Sequence, residues 1–96
     1  MPLETFPYDS AELLDSPEAV AAYMEAAFET EDPAFIAHAF GIAARARGMS
    51  QIAKDAGLSR ESLYRALGEN GNPEFATVLK VAKALGLRLG VSVAAE

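Results

Sequence analysis

Twenty residues in the second half of the chain constrain its fold most: Met49-Ser-Gln-Ile-Ala-Lys-Asp-Ala-Gly-Leu-Ser-Arg-Glu-Ser-Leu-Tyr-Arg-Ala-Leu-Gly68. Apolar residues recur there at helical spacing in two runs, each too short to be stable without packing on the other. Two short helices crossing steeply need a tight turn, a small residue at the crossing and apolar side chains facing inward. Ala53 is small at the crossing, Gly57 permits the positive φ of the turn, and Ile52, Ala56, Leu58, Leu63 and Ala66 fall at the inward positions. All seven positions agree, so the segment predicts a helix-turn-helix.

The outward positions of its second helix are Ser59, Arg60, Glu61, Ser62, Tyr64 and Arg65. That composition suits the DNA major groove. Arg60 and Arg65 can form bidentate bonds to guanine, Glu61 can accept from cytosine, and Ser59 and Tyr64 suit base or phosphate oxygens. Lys54, Arg45 and Arg47 are candidates for backbone contacts, and Gln51 lies near the start of the first motif helix. A protein-only role for the same shape remains the alternative, in which the second helix packs on a polypeptide and its charges are solvated.

Caps and stops divide the rest of the chain. Residues 1–8 carry Pro2 and Pro7 and read as extended, and Asp9 with Glu12 forms a capping box for a turn reaching Leu14. Ser16-Pro17 and Asp32-Pro33 are two further starts, each a capping side chain followed by a proline whose missing N–H costs nothing. The first of these helices runs to about Glu29, with Val20, Met24, Ala27 and Phe28 as its buried stripe. The second buries Ile36, Ala39, Phe40 and Ala43 and stops at Gly48, after Arg45 and Arg47. Beyond the turn-rich loop 68–73, the residues Phe75, Val78, Leu79, Ala82 and Leu85 mark an amphipathic helix closed by Gly86. The period then changes to two. Leu87, Leu89, Val91 and Val93 alternate with Arg88, Gly90 and Ser92, predicting a short strand that needs a neighbour. The same strand of a second chain, paired across a two-fold axis, is the preferred neighbour, with the N-terminal arm as the alternative. The organisation expected is an acidic arm and helical extension over 1–31, a helix-turn-helix domain over 32–86, and a strand and tail over 87–96.

The charge is unevenly placed. Residues 1–44 hold nine acids and no Lys or Arg, whereas 45–96 hold all eight bases and five acids, so the net charge of −6 divides into −9 and +3. Phosphate binding depends on local potential, so a net acidic chain can still present a DNA face. With 51% hydrophobic residues in 96, the chain can fill one core. No cysteine is present, and no apolar run is long enough for a membrane span. No basic leader precedes an apolar stretch, so a cytoplasmic protein without membrane contact is expected.

Catalysis is not expected. His38 is the sole histidine, on a helix whose nearest acids in sequence are Glu31 and Asp32, and Gly68 to Gly71 lacks the lysine and hydroxyl of a phosphate-binding loop. Neither a metal nor any other cofactor is expected.

The blocks Ala-Arg-Ala-Arg-Gly-Met-Ser-Gln-Ile-Ala, Gly-Leu-Ser-Arg-Glu-Ser-Leu-Tyr-Arg-Ala-Leu, Gly-Asn-Pro-Glu-Phe and Lys-Ala-Leu-Gly-Leu-Arg-Leu resemble the addiction-module antidote family, from about Asp9 to Leu89. The resemblance implies a lambda-repressor-like domain, and with the segments read above the expected fold is all-α: a five-helix, lambda-repressor-like helix-turn-helix domain with an N-terminal helical extension and a short C-terminal β-strand. It also implies a homodimer that binds double-stranded operator DNA, represses its own operon and neutralises a RelE/ParE-type toxin. Ser59, Arg60, Glu61, Tyr64 and Arg65 would inherit the DNA role. The chain departs from the phage-repressor pattern at Met49, where a glutamine often opens the first motif helix; here Gln51 follows two places later. Toxins of that type are generally basic, so the acid-only segment 1–44 offers a complement. A phage-type repressor without a toxin is the remaining alternative.

Overall fold

Ser16 sits in extended conformation, and its Oγ accepts a hydrogen bond from the Ala19 N–H at 3.1 Å, while Pro17 opens the helix behind it. The computed structural model describes residues 14–95, and this is the first of five helices among them. They are α1 (Pro17–Glu29), α2 (Pro33–Arg47), α3 (Met49–Ala56), α4 (Arg60–Ala66) and α5 (Phe75–Ala84). The arm and the turn expected from Asp9 lie outside the described residues, apart from Leu14, which is buried in the core.

A tight corner links α1 to α2. The Thr30 hydroxyl donates to the Ala27 carbonyl at 2.7 Å and accepts from the Asp32 N–H at 3.1 Å. Glu31 between them takes a left-handed φ of 56°. Asp32 Oδ1 then accepts from the N–H groups of Ala34 and Phe35 at 3.0 and 3.3 Å, satisfying two donors that the first turn of α2 would leave orphaned. Both expected starts, Ser16-Pro17 and Asp32-Pro33, are therefore present as side-chain caps.

One core joins all five helices. Its largest fully buried side chains are Val20 of α1, Phe40 of α2, Leu63 of α4 and Val81 of α5. Ala39, Ala43, Ala44, Ala53 and Ala82 fill the spaces between them, and such small residues let the backbones approach closely. α3 packs against α2, α4 and α5, whereas α1 packs mainly on α2.

Three expectations are corrected. Phe28 is not on the buried stripe of α1: it is 39% exposed and meets Phe40 edge-on, with ring centroids 6.0 Å apart. With α2 as its main cover, α1 buries only the narrow line Val20, Met24 and Ala27. In α5, Phe75 and Leu79 are also outside the core, 73% and 43% exposed, because the buried line runs through Val81, Ala82 and Leu85. Finally, no strand forms over Leu87–Val93 among the described residues. Leu87 and Leu89 pack partly against the core, while Val91 and Val93 project fully into solvent. A strand exists only with a hydrogen-bonded neighbour, and beyond Leu87 no backbone hydrogen bond joins this segment to another among the described residues.

Candidate nucleic-acid interface

The connection between α3 and α4 is three residues long. Gly57 adopts the left-handed region at φ 74°, which allows the Leu58 N–H to reach the Ala53 carbonyl at 2.9 Å and the Gly57 N–H to reach that of Lys54 at 3.1 Å. This is a Schellman stop, and it turns the chain sharply off the end of α3. Ser59 then restarts the helix. Its Oγ accepts from the Ser62 N–H at 2.9 Å and donates to the Ser62 hydroxyl oxygen at 2.8 Å.

The apolar side of this pair is fixed. Met49, Ile52, Ala53 and Ala56 of α3, Leu63 of α4 and the adjoining Leu67 are buried, and Leu58 and Ala66 are partly so. Loop 68–73 closes against the end of α4: a Cβ on Gly71 would overlap the carbonyl oxygens of Arg65 and Ala66. With Leu63 inaccessible, the opposite side of α4 must face outward, and Ser59, Arg60, Glu61, Tyr64 and Arg65 are all exposed. Ser62 is half-buried, its backbone and hydroxyl engaged with Ser59.

Arg60 and Tyr64, one helical turn apart, act as a unit. The guanidinium carbon lies 5.5 Å from the ring centroid, a cation–π contact of about 0.5–1 kcal/mol at an exposed site. This stacking narrows the positions open to the Arg60 head while leaving its N–H edge free to donate. The spacing of four residues was a signal for it, one that an inventory of outward residues passes over. Arg65 and Lys54 are exposed as well, and neither makes an ion pair among the described residues.

The remaining expected contacts are less uniform. Gln51 is exposed, but its amide donates to Asp55 Oδ1 at 2.8 Å along the outer side of α3. Arg47 is exposed near the end of α2. Arg45 instead lines an open cleft of about 480 Å³ with Phe35, His38, Leu67 and Glu69, between α2 and the loop after α4. The structure therefore brings Arg60, Tyr64 and Arg65 together on one helix, whereas Arg45, exposed on α2, borders the cleft next to the loop after α4. The tail residues Leu87 and Leu89 serve the monomer's own core, leaving Val91 and Val93 available to another molecule.

The acids of the first half lie elsewhere. Glu18, Glu25 and Glu29 are exposed on α1 and Glu31 at its corner, and the rings of Phe28 and Phe35 are partly open as well. No described helix is long and apolar enough to cross a membrane.

Comparison with known proteins places the chain in a family. No solved structure matches the chain. A Haemophilus influenzae protein carrying the name "Uncharacterized protein" is 51% identical over 84 residues, which cover 88% of this chain and 87% of the relative. The family model described as "Probable addiction module antidote protein" matches residues 4–93, from the acidic arm through the motif helices to the tail. The chain belongs to the addiction-module antidote family.

Proposed function

We propose that this antidote binds operator DNA through α3 and α4 as a helix-turn-helix of the lambda-repressor type, and so represses its own operon. The observation that carries the reading is the outward surface of α4. Arg60, Tyr64 and Arg65 project from a helix whose opposite side is locked by the fully buried Leu63. Such a helix can enter the major groove as a rigid body, with guanidinium groups at the reach of guanine O6 and N7. Ser59 and Glu61 stand at its leading end, while Lys54, Gln51 and Arg47 flank it for phosphate contacts.

The antidote also neutralises its toxin by direct binding, on a surface apart from the DNA. The exposed acids of α1 and its corner support this, since α1 rests mainly on α2 while α4 is seated on α3. A basic toxin of the RelE/ParE type fits that charge. No catalytic role and no cofactor enter this reading, and its setting is the cytoplasm.

The test is a titration of the protein against a labelled duplex from the region upstream of its own gene. Wild-type protein protects a discrete site there, and Arg60→Ala with Arg65→Ala abolishes the protection. Equal protection by the double variant would remove α4 from the interface.

A further inference from the structure

One side chain on the outward surface of α4 has the wrong sign for a groove lined with phosphates. Glu61 is exposed in the first turn, and of the five acids in residues 45–96 it alone lies on this helix. Among the described residues no hydrogen bond or ion pair engages its carboxylate. The helix start is capped without it, since Ser59 Oγ already accepts the Ser62 N–H. Arg65 follows four places later, the spacing at which a glutamate and a later arginine pair along a helix. The two nevertheless form no ion pair, and Arg60 lies over the Tyr64 ring instead. An acid is thus presented between two arginines and is neutralised by neither.

If α4 enters the major groove, as the operator reading on which this inference rests requires, base-edge chemistry gives that acid a task. An ionised carboxylate can only accept hydrogen bonds. Guanine turns O6 and N7 toward it, and thymine O4 and a methyl group, so neither has a donor to give. The adenine amino group lies between two acceptors, its own N7 and the thymine O4. The cytosine amino group has an acceptor on one side only, and is the best partner the groove holds. Wherever that donor is missing, the carboxylate is stripped of water beside phosphates with nothing in return. Arginine cannot discriminate in this way, because a guanidinium also gains from the phosphates of any duplex.

We propose that Glu61 is a selectivity residue, which accepts from a cytosine amino group in the operator and penalises duplexes that lack cytosine at that step. Its contribution is then mostly to rejection, since specificity is a difference of affinities and grows when the wrong partner is disfavoured. The competing task for the side chain is to complement the positive end of the α4 dipole. That would act on stability and leave sequence preference alone.

Competition binding with the full chain separates the two, using the upstream duplex, a scrambled duplex and a set in which each base pair of the protected site is replaced in turn. Glu61→Gln keeps the size of the side chain and removes its charge. It should bind the scrambled duplex about threefold more tightly than wild type, and its ratio of operator to scrambled affinity should fall about tenfold. At one cytosine of the site, replacement by guanine or thymine should cost wild type about tenfold and Glu61→Gln less than about threefold. The urea midpoint and the far-ultraviolet helical spectrum should stay those of wild type. A Glu61→Gln protein with the wild-type ratio and the wild-type base preferences would overturn the inference, and a lowered urea midpoint beside them would assign the residue to the dipole. The operator reading would survive that result, because wild-type protein would still protect the site. A wild-type protein that binds no upstream duplex would instead remove the reading and this inference together.

Discussion

At the scale of single residues, the chemistry of α4 separates into anchor, cap and reader. Leu63 is the anchor and is inaccessible to solvent, so Leu63→Ala should cost about 2–5 kcal/mol in urea denaturation, through lost transfer energy and the cavity left behind. Ser59 is the cap, and Ser59→Ala should cost about 0.5–2 kcal/mol by the same measurement. Arg60 and Arg65 are the proposed readers. Each alanine variant should lose about 1–3 kcal/mol of operator affinity and relax the preference at one base pair, read by competition among mutated duplexes. Tyr64 positions Arg60 through its ring, so Tyr64→Phe should keep that preference and Tyr64→Ala should blur it. Equal behaviour of these two variants would mean that the stacking has no part in recognition.

At the scale of elements, the starts and stops of the helices were legible in the chain. Ser16 and Asp32 each accept a backbone amide at the helix start where their side chains predicted a cap, and Ser59 does the same for α4. Such signals are local, needing only three or four neighbouring residues. What was not legible depends on how a helix is rotated against its neighbours. Phe75 and Leu79 fit the apolar period of α5, yet the core is centred on Val81, Ala82 and Leu85, leaving them outside. Phe28 misled in the same way, because α1 is covered mainly by α2 and not by a ring of neighbours. The tail shows a third limit: its alternation is real, with Leu87 and Leu89 inward, but a strand is a property of two segments and the period of one cannot supply the second. For the proposed operator face, the outward residues of α4 were legible from spacing alone. The Arg60–Tyr64 contact and the position of Arg45 at the open cleft with His38 and Glu69 required coordinates.

The proposed toxin surface belongs to the element scale too. Glu25 and Glu29 lie one turn apart on the outside of α1, away from the core. Reversing both to lysine should weaken binding of a basic toxin in calorimetry while leaving the operator affinity of the protein unreduced. If toxin affinity is unchanged, α1 is not the contact.

At the scale of the whole molecule, a chain of net charge −6 confines its bases to residues 45–96 and its densest acids to 1–44. General coating of DNA is disfavoured by that balance, because non-specific binding draws on total counterion release. Docking at one site is not, since only the local potential of α4 and its flanks acts there. The division would also let one small antidote carry two partners, with the proposed DNA surface on α3 and α4 and the acidic surface on α1.

The measurement that bears most directly on the proposed operator reading is the affinity of the full chain for its upstream duplex across a salt series, for wild type and for Arg60→Ala with Arg65→Ala. Wild-type protein should bind with log K falling linearly as log salt rises, at a slope of about −0.9 per phosphate contact. The double variant, still helical, should lose the discrimination between the operator and a scrambled duplex. Operator affinity and discrimination that survive in the double variant, or a wild-type protein that binds no upstream duplex even at low salt, would contradict it.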